Sequence, residues 1–196
     1  MGCKVAMSHS NQSGLWNMGI VSGSGQYHSN ASTVSKRKPY NKTNLIEIKD
    51  MVISPQLVPK ENSSWVLFTT YTGEHARSGV YLRDHAHFLA AWADIDEGDH
   101  SLDEIGELMD ELDANYIVYS SRSATKNNKK WRVIVPYSEL VKAEHHILLT
   151  ECLNDHFEKY EIKPDRVTEH VNQLCYLPNQ GEFYEYIIED NRDDLS

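Results

Sequence analysis

The stretch from His87 to Asp96 constrains the fold more than any other. After His87, Phe-Leu-Ala-Ala-Trp-Ala runs without a polar break, and Asp94-Ile95-Asp96 closes it. A short apolar run without alternation predicts a buried strand. Directly behind it, Ser101-Leu102-Asp103-Glu104 forms a capping box, and Leu102, Ile105, Leu108, Met109 and Leu112 recur at helical spacing. Ala114-Asn115 ends that helix. Tyr116–Ser120 reads as a second strand, Arg122–Asn128 as a polar loop, and Lys130–Val135 as a third strand closed by Pro136. A long helix follows from Glu139 to about Tyr160, and Pro164 bars its continuation. Val171–Leu177, stopped by Pro178, reads as a fourth strand, and Phe183–Ile188 as a fifth.

The order β-α-β-β-α-β predicts an α+β, two-layer fold: a ferredoxin-like, or RNA-recognition-motif-like, palm. Both helices then cover one sheet face and leave the other free for a site. The chain of 196 residues is long enough for one domain with a sizeable core. Residues 1–43 open with a Ser-, Gly- and Asn-rich stretch without periodicity and read as a flexible or loosely packed extension. The folded domain is expected over 44–188, with an N-terminal αβ extension to the palm in which Ser64–Tyr71 supplies a strand. Residues 189–196 read as an acidic tail. No apolar run approaches the length of a membrane span, so no membrane partner is expected. Cys3, Cys152 and Cys175 stand far apart without a C-x-x-C pair, which argues against a zinc ribbon or a disulfide framework and predicts a cytoplasmic protein.

The net charge of −10 argues against a nucleic-acid binder, but the distribution is uneven. Residues 94–113 hold ten acids and no Lys or Arg, and the last fifteen residues are also acidic. Two basic clusters stand apart from them: Lys36, Arg37, Lys38 and Lys42, and then Arg122, Lys126, Lys129, Lys130 and Arg132. A basic loop on an acidic protein still holds phosphates locally.

Because strand side chains alternate, Asp94 and Asp96 share one face and Ile95 takes the other. Two carboxylates that close repel unless a cation lies between them, and hard divalent ions take such oxygen ligands. Asp165, after the long helix, is placed to return to the same end of the sheet, with Glu169 as a weaker rival. In the hairpin, Ser121, Arg122 and Ser123 lead in, and Lys130 and Arg132 alternate with Trp131 and so share a face. Arg matches phosphate oxygens with its planar fork, and hydroxyls add hydrogen bonds.

Asp94 and Asp96, the stretch Tyr119-Ser-Ser-Arg-Ser-Ala-Thr through Lys130-Trp-Arg-Val-Ile-Val-Pro136, then Asp165 and Gln173-Leu-Cys-Tyr-Leu-Pro-Asn179 together resemble the archaeo-eukaryotic primase superfamily, in particular primase-polymerase domains of phage and plasmid replication proteins. The likeness covers about residues 64–180. It implies DNA-dependent nucleotidyl transfer by two metal ions, synthesising or extending primers on single-stranded DNA. Asp94, Asp96 and Asp165 would hold two Mg²⁺ or Mn²⁺ ions; Ser121, Arg122, Ser123, Lys130 and Arg132 would bind the NTP or dNTP. No zinc is implied. The partners implied are the nucleotide, a single-stranded template and a fused or separate helicase, since the chain has no G-x-x-x-x-G-K-[ST] loop of its own. The family's second motif usually carries a His; no His lies between His100 and His145, and Arg132 holds that place.

Other readings stand beside this one. His85-Ala86-His87 and Tyr160-Glu-Ile-Lys163 match the metal pair and the nucleophile motif of replication-initiator nickases. A catalytically degenerate primase-like domain would bind nucleotide or nucleic acid only. An RNA-recognition-like sheet would stack bases on Tyr116, Tyr119, Trp131 or Tyr176.

Overall fold

The computed structural model describes residues 20–24, 41–71 and 75–190. In chain order the elements are β1 (Ile20–Ser24), β2 (Asn41–Thr43), α1 (Leu45–Ile53), β3 (Ser64–Leu67), α2 (Gly79–His85), β4 (His87–Ile95), α3 (Leu102–Asp110), β5 (Tyr116–Ser120), β6 (Trp131–Lys142), α4 (Ala143–Glu158), β7 (Cys175–Tyr176) and β8 (Tyr186–Glu189). Short 3₁₀ turns occupy Lys60–Asn62 and Arg166–Glu169. The chain is α+β, with two antiparallel sheets of order β2-β1-β3-β7 and β4-β6-β5-β8.

The large sheet is built around the apolar run. Ala91, Ala93 and Ile95 of β4 and Trp131, Val133 and Val135 of β6 face α3 and α4, where they pack against Ile105, Met109, Leu153 and Phe157. Trp92 and Ile134 face the opposite way. The register shift between Phe88 and Ala90 moves Phe88 to the helix side, and β4 is apolar from Phe88 to Ala93 because both of its faces are covered. The capping box at Ser101 and Glu104 forms as the sequence predicts and starts α3.

Several expectations are corrected. The face opposite the helices is not free: α1 lies over it through Leu45, Ile48 and Val52, joined by Val66 of β3, Cys175 of β7 and Leu177 just after it. The segment Val171–Leu177 forms strand only at Cys175–Tyr176, and it pairs with β3 in the small sheet instead of β4. The outer edge of β4 takes the continuation of β3, where Phe68 and Thr70 exchange backbone hydrogen bonds with Leu89 and His87. β6 runs through Pro136 to Lys142, and α4 begins only at Ala143. Pro136 lies opposite Ala90, at the irregular register of β4, where a residue without an N–H costs no regular ladder bond. Within the extension expected to be loose, Ile20–Ser24 pairs with both β2 and β3. Cys152 is disulfide-bonded, against the reading of unpaired thiols, and Cys175 is a buried free thiol. Among the described residues no helix is long and apolar enough to cross a membrane.

Candidate active site

The acids gather at one end of β4. Asp94 stands opposite Arg132 in the ladder, and both lie on the face turned away from α3 and α4, while Ile95 enters the helix-side core. After α4 the chain returns to this end: the Asp165 N–H donates to the Asp94 carbonyl at 2.7 Å. α4 has already ended at Glu158, with Glu161 in the left-handed region at φ 62°, and Asp165 caps the 3₁₀ turn Arg166–Glu169, its carboxylate accepting from the Val167 N–H at 3.0 Å. The main chain at Asp165 therefore lies beside that of Asp94. Glu169 is engaged elsewhere, by Arg166 and by the Asn154 amide.

The three carboxylates differ in setting. The Asp94 side chain is 16% exposed, and its Oδ1 lies 3.4 Å from Arg132 Nε, close enough for an ion pair but outside hydrogen-bond geometry, so neither atom has a hydrogen-bond partner. Burial lifts the Asp94 carboxyl above its ordinary range. Arg132 draws it back, Asp96 and Asp165 push it further up, and Lys60 draws it down. Asp96 is exposed and lies 3.5 Å from Lys130. Asp165 is exposed. Among the described residues no group of three or more His, Cys, Asp or Glu side chains converges tightly enough to enclose a metal ion.

Arg132 is the hub of the site. It is 8% exposed; one terminal nitrogen donates to the Tyr176 carbonyl at 3.2 Å, and the guanidinium lies 5.5 Å from the Tyr176 ring centre. Burial opposes its charge, and Asp94 leads the neighbours that more than offset this, so its pKa is raised. Beneath it the Tyr119 hydroxyl donates to the same Tyr176 carbonyl at 2.6 Å and lies 3.5 Å from the Cys175 sulfur. Burial pushes the Cys175 thiol up to about 12, which keeps it protonated and inert.

A cleft opens between the small sheet and the hairpin β5–β6. Lys60, Ser63, Arg122, Ser123, Arg132 and Tyr176 line it, with Leu177 and Asn179 behind. Arg122 is anchored by its Nε bond to the Val58 carbonyl at 3.2 Å. Gly181 lets the following loop close over the hairpin, since a Cβ there would lie 2.2 Å from the Arg122 carbonyl oxygen. Ser121 is buried and its hydroxyl lies 3.3 Å from that of Ser123. Of the residues assigned to nucleotide binding, Arg122, Ser123 and Arg132 line the cleft; Lys130 faces Asp96, and Ser121 lies under the turn. Lys129 is bonded to Asp99 rather than open to a template. Lys42 is exposed, and Lys36, Arg37 and Lys38 lie outside the described residues. Sequence reasoning missed Lys60 and Ser63, because no motif surrounds them; the only local signal is the turn after Pro59.

The rival constellations are not assembled. His85 ends α2 and His87 opens β4, so the two do not share a strand. His87 pairs with Lys142 at the start of α4, whereas Tyr160 follows its end, and a helix of 16 residues spans about 24 Å. The Tyr160 hydroxyl donates to Glu111. Tyr116, Tyr119, Trp131 and Tyr176 are all buried, so none offers a stacking surface. Comparison with protein-family models, with curated proteins and with solved structures finds no match in any of the three.

Proposed function

We propose that the chain is a DNA-dependent nucleotidyltransferase of the primase-polymerase type, which makes or extends primers on single-stranded DNA with a helicase as its partner. The β4-α3-β5-β6-α4 core serves as its palm. The observation that carries this reading is the bond from Asp165 to Asp94, which sets a third acid from a remote segment beside the Asp94/Asp96 pair and next to a cationic cleft. The donor set fits hard divalent cations: all three acids are carboxylates, and the buried Asp94 Oδ1 lacks a hydrogen bond while its like-charged neighbours disfavour its ionisation. Asp94, Asp96 and Asp165 would hold Mg²⁺ or Mn²⁺, which supply Lewis acidity for the attacking hydroxyl and the leaving pyrophosphate. Arg132 fixes the carboxylate of Asp94 and presents charge to the cleft, where a triphosphate lies with its α-phosphorus toward the acids. Arg122, anchored on Val58, and the Ser123 hydroxyl orient the outer phosphates. Rigid anchoring of both arginines on main-chain carbonyls reduces the ordering cost of binding.

One observation favours a second reading, a primase-like domain that binds nucleotide without turning it over: Asp94 and Asp96 each face a cation of the chain itself. Incorporation of labelled nucleotide on single-stranded DNA separates the two, with Mn²⁺ or Mg²⁺ and with or without a primer. Metal-dependent product that is lost in Asp94→Asn and Asp165→Asn supports transfer. Nucleotide binding without product at any metal concentration supports the binding domain, and absence of both refutes the two together.

A further inference from the structure

The cations of the cleft come from three separate stretches of chain. Lys60 arrives on the 3₁₀ turn before β3, Arg122 and Ser123 on the hairpin, and Arg132 on β6. Among the described residues no carboxylate lines it. Three cations with two serine hydroxyls, Ser63 and Ser123, make a lining matched in charge and hydrogen bonding to phosphate oxygens. The arginines are held: Arg122 by the Val58 carbonyl, Arg132 by the Tyr176 carbonyl and by Asp94. Arg132 is more than nine-tenths buried, and its Nε has no hydrogen-bond partner. Lys130, the cation that the motif points to, is turned to Asp96 at 3.5 Å and is not part of the lining.

We propose that Lys60 is a phosphate-binding residue of this site, holding the polyphosphate of a nucleoside triphosphate together with Arg122 and Arg132. The assignment rests on the nucleotidyltransferase reading and adds to it a cation from the small sheet's approach turn, outside every motif in the sequence. The small sheet then has a role besides covering the large one: it brings Lys60 to the wall of the cleft facing the hairpin. Arg132 belongs both to the cleft and to the Asp94 ion pair, so a polyphosphate bound by Lys60 lies directly beside the acids. The compact ammonium charge of Lys60, on its flexible four-carbon stem, adds a point charge beside the planar forks of the arginines.

The test is calorimetric titration of the full chain with inorganic tripolyphosphate, and with a non-hydrolysable nucleoside triphosphate in Mg²⁺. The wild type, Lys60→Ala, Lys60→Arg, Arg122→Ala and Lys142→Ala are compared, each first shown to be folded by its thermal transition. Lys142, at the far end of β6, is the equal-charge control. The expected result is at least tenfold weaker binding of both probes by Lys60→Ala, near-wild-type binding by Lys60→Arg, and no change in Lys142→Ala. Lys60→Ala binding like the wild type while Arg122→Ala loses affinity overturns the assignment and leaves the nucleotide reading standing. Loss of single-stranded DNA binding by Lys60→Ala with triphosphate binding intact also overturns it, by giving the lysine to the template. A wild type that binds neither probe overturns the nucleotide reading and the role of Lys60 with it.

Discussion

Arg132→Met is the perturbation whose consequences are most fully worked out by the geometry. The methionine keeps much of the apolar volume of the stem and removes the charge. Asp94, with its side chain 16% exposed, then loses the cation 3.4 Å away, and the Tyr176 carbonyl loses a charged donor. Stripping one partner from a buried pair costs about 3–5 kcal/mol, because the remaining charge stays buried without compensation. The hydrogen bond and the ring contact belong to the same group and are not added separately. For a domain of this size such a loss corresponds to a fall of roughly 6–20 °C in the thermal midpoint. The effect carries a pH signature. The Asp94 carboxyl is already raised above its ordinary value of 3.8 by burial, and removing Arg132 takes away the strongest influence holding it down. A group with a raised folded pKa contributes stability that is fully present below its unfolded value and lost as pH rises through the folded value. The deficit of Arg132→Met is therefore largest at neutral pH and shrinks as pH falls through the raised folded value, where Asp94 takes up its proton. Urea unfolding across that range measures it, and adding Asp94→Asn to the variant should recover most of the loss at neutral pH. A deficit below about 1 kcal/mol that does not change with pH would refute the claim that this is a buried, mutually dependent pair.

Three further outcomes are expected. His146 is buried against Phe88 and bonded to the Tyr137 hydroxyl, and burial lowers its pKa to about 3, so the unfolded chain takes up its proton first; stability should fall by roughly 1–1.5 kcal/mol per pH unit between its ordinary 6.5 and about 3, a slope that His146→Phe removes in acid unfolding curves. Gly181→Ala sets a Cβ 2.2 Å from the Arg122 carbonyl oxygen, so the loop must lift; a loss of about 1–3 kcal/mol in stability should accompany weaker triphosphate binding, both read by calorimetry. Tyr160→Phe and His85→Ala should leave nucleotide incorporation unchanged and create no loss in any strand-nicking assay, because Tyr160 is bonded to Glu111, His85 ends α2, and the two are not assembled with one another.

Where the information is local, the sequence was enough. The capping box at Ser101 starts α3 where its spacing says, and Tyr116–Ser120 is a strand to the residue. Strand alternation put Asp94 and Asp96 on the face away from Ile95, and Trp131 on the face away from Arg132, because pleating obeys a period of two whatever the partners are. The tertiary structure alone decided the rest. Pro136 reads as a stop, yet it continues a strand because the opposing register slips at Ala90, and no property of Pro136 reports on Ala90. Cys175–Tyr176 joins β3 rather than β4, since the outer edge of β4 is taken by the chain beyond β3 and by Asp165. The covered second face, the burial of Arg132 and the arrival of Lys60 in the cleft all follow from that choice. Each joins residues dozens of positions apart, and periodicity, capping and turn chemistry act only over a few residues; which distant segments meet is settled by the packing of whole faces.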